Sequence, residues 1–76
     1  MDAAKAFGSV LRQLRQEANL TQEGLGFEAD LRRTYISILE LGEQQPSLTT
    51  ILKLSAALKC PAHDLVALVE AELLKE

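Results

Sequence analysis

The chain has 76 residues, 47% of them apolar and 25% charged, with a formal net charge of −3. So short a chain sits near the lower limit for burying a core of its own, and with only three aromatics, Phe7, Phe27 and Tyr35, that core must be aliphatic, which favours an all-helical fold. The negative balance argues against a generally basic nucleic-acid binder, and the lone cysteine, Cys60, excludes an internal disulfide or a multi-cysteine metal site.

The first predicted helix runs from Ala3 to Ala18, where Phe7, Val10, Leu11, Leu14 and Ala18 recur at threes and fours to form one apolar stripe. Lys5, Arg12 and Glu17 lie off that stripe and read as solvent contacts. Arg15 borders the Leu11/Leu14 edge, within reach of a buried carboxylate. Asn19 suits a left-handed step and closes the helix with Leu20. Thr21 is a plausible N-cap for a second helix, and Thr21-Gln22-Glu23-Gly24 departs from a capping box only in its last residue. Leu25 and Ala29 supply the inward side, with Phe27 or Glu28 at its margin. Gly24 and Gly26 each cost on the order of 1 kcal/mol relative to Ala in a helix interior. Close packing against the next helix accounts for Gly26, whereas nothing in the sequence accounts for Gly24.

Asp30 falls where the chain must bend sharply, and Asp tolerates left-handed dihedrals. A third helix, about Arg32 to Leu41, then turns Ile36 and Leu39 inward with Tyr35 beside them, and Gly42 is its expected C′ stop. Its other face carries Arg33, Thr34 and Ser37. Arg matches the two acceptors of a guanine edge, and Thr and Ser offer hydroxyls, so this face suits a major groove; a plain solvated face is the alternative. Thr21 to Gly42 thus has a helix-turn-helix outline. The cations gather around it: Met1 to Leu39 holds five basic and five acidic residues, Glu40 to Glu76 three and six.

Glu43-Gln44-Gln45-Pro46 forms a polar loop, and Ser47 caps a fourth helix, Leu48 to Leu58, whose Ile51, Leu52, Leu54, Ser55 and Leu58 point inward. Pro61 is placed in the first turn of a fifth helix, about Pro61 to Lys75, with Cys60 where a capping hydroxyl would be expected. Leu65, Val66, Leu68, Val69, Leu73 and Leu74 spread around more than one face of it. Residues 61–75 therefore read as a dimerisation helix with Leu65, Val69 and Leu73 at the interface; the alternative is that these side chains close the monomer core.

Catalytic chemistry finds little support. His63, the sole histidine, stands beside Asp64 and reads as a surface residue, and Cys60 reads as a small interior hydrophobe. No HExxH, glycine-rich phosphate loop or nucleophile elbow occurs, so no enzyme activity, metal, cofactor or small-molecule ligand is expected. There is no apolar run of about 18 residues and no basic-then-apolar leader, so no membrane partner is expected and the cytoplasm is the expected location.

Taken together, Arg15, Leu20-Thr21-Gln22-Glu23, Leu25-Gly26, Arg33-Thr34-Tyr35-Ile36-Ser37, Glu40, Gly42, Pro46-Ser47-Leu48, Leu52-Lys53-Leu54 and Ala57-Leu58 resemble the Cro and phage-repressor type of helix-turn-helix regulator. The resemblance covers roughly Phe7 to Leu68. Within that type, the RTYIS segment and the apolar last helix are most similar to the controller proteins of restriction-modification systems. The resemblance implies a compact five-helix bundle of the lambda-repressor-like kind, with the helix-turn-helix at helices two and three. It implies a homodimer that binds double-stranded DNA at a pseudo-palindromic operator. By the same resemblance Gln22 touches backbone phosphate, Arg33, Thr34 and Ser37 face base edges, Arg32 and Tyr35 lie near the backbone, and Gln44 and Gln45 sit in a phosphate-touching loop. Arg15 and Glu40 match a partly buried salt bridge joining helix one to helix three. Four departures stand out: Asp30 replaces a common Gly, Arg32 replaces a capping Ser or Asp, Ile38 takes a position that can be polar and base-reading, and the Glu43-Gln44-Gln45 loop lacks the usual positive charge. The last departure, with the negative net charge, supports a second reading, an antitoxin-like or adaptor module for protein interaction.

Overall fold

The computed structural model describes residues 1–75, and these form five helices: α1 (Ala3–Glu17), α2 (Gln22–Ala29), α3 (Arg33–Glu40), α4 (Leu48–Leu58) and α5 (Ala62–Leu74). No strand occurs among the described residues. Local chemistry punctuates the chain. The Thr21 hydroxyl accepts the Gly24 N–H at 2.9 Å and the Ser47 hydroxyl that of Thr50 at 3.1 Å, each satisfying an amide that the first turn leaves without a helical partner. Asp2 does the same for α1, accepting from the Lys5 N–H at 2.9 Å. Left-handed residues stop the helices: Asn19, Asp30 (φ 56°, ψ 48°) and Gly42 (φ 74°), as expected, and also Lys59 (φ 55°).

Some boundaries shift by a residue. Ala18 caps α1 from outside and is exposed instead of closing the apolar stripe. Arg32 is the N-cap of α3 and makes no side-chain cap bond, because a guanidinium has no acceptor to offer the first-turn amides. Pro61 itself, not Cys60, takes the N-cap position of α5: its φ suits a helix, while its extended ψ of 143° does not.

Phe7, Leu11, Leu25, Ala29, Ile36, Leu39, Leu54 and Leu65 form the core, drawn from all five helices. α1 packs against α3 and α5, α2 against α3 and α4, and α4 against α5. Leu52, expected inward, is exposed: Leu54 and Ser55 hold the buried side of α4, and Leu52 lies on the opposite flank. Phe27 is also outside the core, 83% exposed. Glycines fit two backbones together. A Cβ on Gly8 would lie 2.5 Å from the Leu39 carbonyl oxygen and 2.6 Å from that of Glu40, and one on Gly26 would lie 2.6 Å from the Leu31 carbonyl oxygen. α1 thus meets the end of α3 backbone to backbone, and α2 meets the turn before α3 in the same way.

Candidate nucleic-acid interface

α3 is short, eight residues, and must be held from behind to present a face. Ile36 and Leu39 are fully buried and Tyr35 packs partly against the core, so one side of the helix is anchored. Arg33 and Thr34 are exposed and Ser37 half-buried on the outward side. Arg32 is exposed just before the helix, and Gln44 and Gln45 are exposed in the loop after it.

The end of α3 is fixed by charge. Arg15 Nε donates to Glu40 Oε2 at 2.6 Å and Nη2 to Oε1 at 3.1 Å, a two-pronged pairing of planar groups. Both side chains are nearly enclosed, 12% and 5% exposed. Hydrogen bonding to the Glu40 carboxylate, opposed by burial and aided by the direct attraction between the charges, raises the Arg15 guanidinium above its ordinary range. The remaining Arg15 prong, Nη1, donates to the Leu20 carbonyl at 2.9 Å, and Gln22 Nε2 donates to Glu40 Oε1 at 3.1 Å. One carboxylate therefore ties together α1, the first residue of α2 and the last residue of α3. Gln22 is held half-buried by that bond rather than standing free at the surface.

Leu41 was not singled out in the sequence, yet it is 61% exposed at the C-terminal end of α3. Its spacing of seven from Thr34 puts it on the same side of the helix, and that periodicity was the available signal. On α5, Leu65 is fully buried. The expectation that it faces a second subunit is corrected: it completes this chain's own core and has no surface to offer. Val69 and Leu73 are half-buried and Val66 and Leu68 exposed. His63 is exposed with its ring 3.3 Å from Asp64, and Cys60 packs half-buried against the core. Among the described residues no helix is long and apolar enough to cross a membrane.

Residues 11–65 match the protein family described as Helix-turn-helix. Over 61 residues the chain is 48% identical to the control protein C.BamHI of Bacillus amyloliquefaciens, covering 79% of this chain and 75% of that one. Over 67 residues it is 39% identical to the control protein C.MunI of a Mycoplasma species, covering 87% and 90%. Among solved structures, the restriction-modification controller protein C.AhdI from Aeromonas hydrophila superposes with a TM-score of 0.79 at 40% identity, covering 82% of this chain and 94% of that one.

Proposed function

Since this chain belongs to the helix-turn-helix family of the Cro and phage-repressor type and is similar to restriction-modification controller proteins, we propose that it is a sequence-specific transcriptional regulator. It binds double-stranded DNA as a homodimer on a pseudo-palindromic operator and controls a restriction-modification system. The observation that carries this reading is the single outward face of α3, Arg33, Thr34 and Ser37, braced by buried Ile36 and Leu39 and by the Arg15–Glu40 pair. A rigid short helix with that face can read base edges, with Arg33 offering a two-pronged donor to guanine. Arg32, Tyr35, Gln44 and Gln45 flank the reading face and serve the DNA backbone, which sets register without selecting sequence, while Gln22, bonded to Glu40, braces the end of α3.

The dimer forms through α5. Val66, Val69 and Leu73 follow at three and four, making a narrow apolar row beside the row that Leu65 buries. Val66 and Val69 line an apolar hollow with Pro46 and Ile51, which extends the row onto α4 and the loop before it.

A gel shift with duplex from upstream of the protein's own coding region, against a scrambled duplex of the same length, tests the reading. The upstream duplex binds more tightly, and Arg33→Ala costs about 1 to 3 kcal/mol on it while relaxing preference at one base position. Equal affinity for both duplexes would sink the proposal and favour the protein-interaction reading.

A further inference from the structure

On α1, Lys5, Ser9, Arg12 and Gln16 follow one another at four, three and four residues and so stand in one row on the helix surface. That row lines an open cleft of about 410 Å³ whose far wall is Glu40 and Leu41, the end of α3. The adjoining row of the same helix is the one pressed on α3: Gly8 meets the Leu39 and Glu40 carbonyls, and Arg15 meets the Glu40 carboxylate. The cleft therefore opens on the solvent side of the α1–α3 contact. Exposed Leu41, one helical face with Thr34, is the edge it shares with the outward side of α3.

Its charge is positive and unspent. Lys5 and Arg12 are exposed, and neither joins an ion pair among the described residues. The one carboxylate that lines the cleft, Glu40, is engaged by Arg15 and Gln22, and Glu72, which accepts from the Ser9 hydroxyl at 3.3 Å, is paired with Lys75 at 3.1 Å. Lys5 also abuts the start of the loop after α3, since a Cβ on Gly42 would lie 2.8 Å from the Lys5 Cα. That loop, Glu43-Gln44-Gln45, carries no cation of its own.

We infer that this cleft holds a backbone phosphate at the margin of the DNA site, with Lys5 and Arg12 supplying the charge that the loop lacks and Gln13 and Gln16 neutral donors beside it. The inference rests on the DNA-binding reading above and adds a contact on α1 to it. A phosphate contact strengthens binding to every sequence alike and releases counterions, so it has its own signature in salt.

Lys5→Gln and Arg12→Gln, singly and together, are titrated over a range of salt against the upstream and scrambled duplexes, with Lys53→Gln on the exposed side of α4 as the control. The double variant weakens both duplexes by the same factor and flattens the log–log salt slope by about 0.9, the value for one phosphate, and each single variant does so by part of that amount. Lys5→Arg and Arg12→Lys keep the parental slope, and so does Lys53→Gln. The cleft assignment is overturned if the double variant keeps the parental slope, if Lys53→Gln flattens it equally, if the loss falls on one duplex only, or if the charge-conserving variants behave like the glutamines. A parent that binds both duplexes equally overturns the sequence-specific reading alone, because the slope is still measured on the scrambled duplex. A parent that binds neither overturns both.

Discussion

Glu40 shows how one side chain can hold a site without touching its ligand. Its carboxylate, almost fully enclosed, accepts from Arg15 twice and from Gln22 once, so desolvation is matched by three directed donors. Removing one partner leaves the other charge buried and alone, which typically costs about 3 to 5 kcal/mol. A domain of this size has only about 5 kcal/mol or somewhat more to lose. Arg15→Ala or Glu40→Ala should therefore abolish or nearly abolish the cooperative thermal transition, as read by circular dichroism. The pH dependence follows from Arg15, whose pKa is raised on folding. Its stabilisation is complete below the unfolded-state value and fades only as pH climbs through the folded one, both above the range where lysine and tyrosine titrate. The Arg15 contribution should thus be the same at neutral and mildly alkaline pH, and urea melts of the parent and Arg15→Lys at both should keep a constant difference. The pair was legible in the sequence only through family resemblance, because 25 residues separate its members. The third donor, Gln22, was not legible, since its amide suits a phosphate as well as a carboxylate.

Helix ends were the most legible elements because their signals are local. Thr21, Ser47, Asp30, Asn19 and Gly42 each act through their own backbone or a neighbour within a turn. Gly8 is the contrary case: nothing near it in the chain demands a glycine, and the demand comes from the end of α3, some thirty residues on. Gly24 completes the comparison, for a Cβ there meets chiefly the Thr21 hydroxyl, at 3.2 Å. Gly8→Ala gains about 1 kcal/mol of helix propensity but presses on carbonyls that cannot swing aside, and such overpacking costs about 1 to 3 kcal/mol or more. It should lower the melting midpoint by several degrees, whereas Gly24→Ala should leave it near the parent's. Equal midpoints for the two variants would remove the backbone-to-backbone contact as the reason for Gly8.

The assembled molecule leaves α5 with one side in the core and two flanks partly open to solvent. Val66, Val69 and Leu73 form one flank, while Leu68 on the other faces Val10 and Leu14 of α1 across a shallow groove. If the first flank joins two copies, their α3 helices can enter successive major grooves about 34 Å apart. Val66→Glu sets a charge in that interface without disturbing the core, because Val66 is exposed in the single chain. A charge desolvated without a partner in an apolar interface is strongly unfavourable, so the variant should sediment as a monomer at concentrations where the parent is a dimer, and its operator affinity should fall in step. A variant that sediments like the parent would move the interface elsewhere.

Periodicity and punctuation along the chain were enough to lay out five helices, most of their caps and turns, and the polar face of α3, because each depends on neighbours within a turn or two of helix. Other features depend on residues that meet across the bundle. Leu65 and Val66 are adjacent and equally greasy, and their opposite fates follow from which side of α5 reaches α1 and α4. Glu40 gains its partners, Gly8 its necessity and the Lys5–Arg12 row its neighbour Leu41 only when α1 is laid against the end of α3, a juxtaposition that no local pattern encodes.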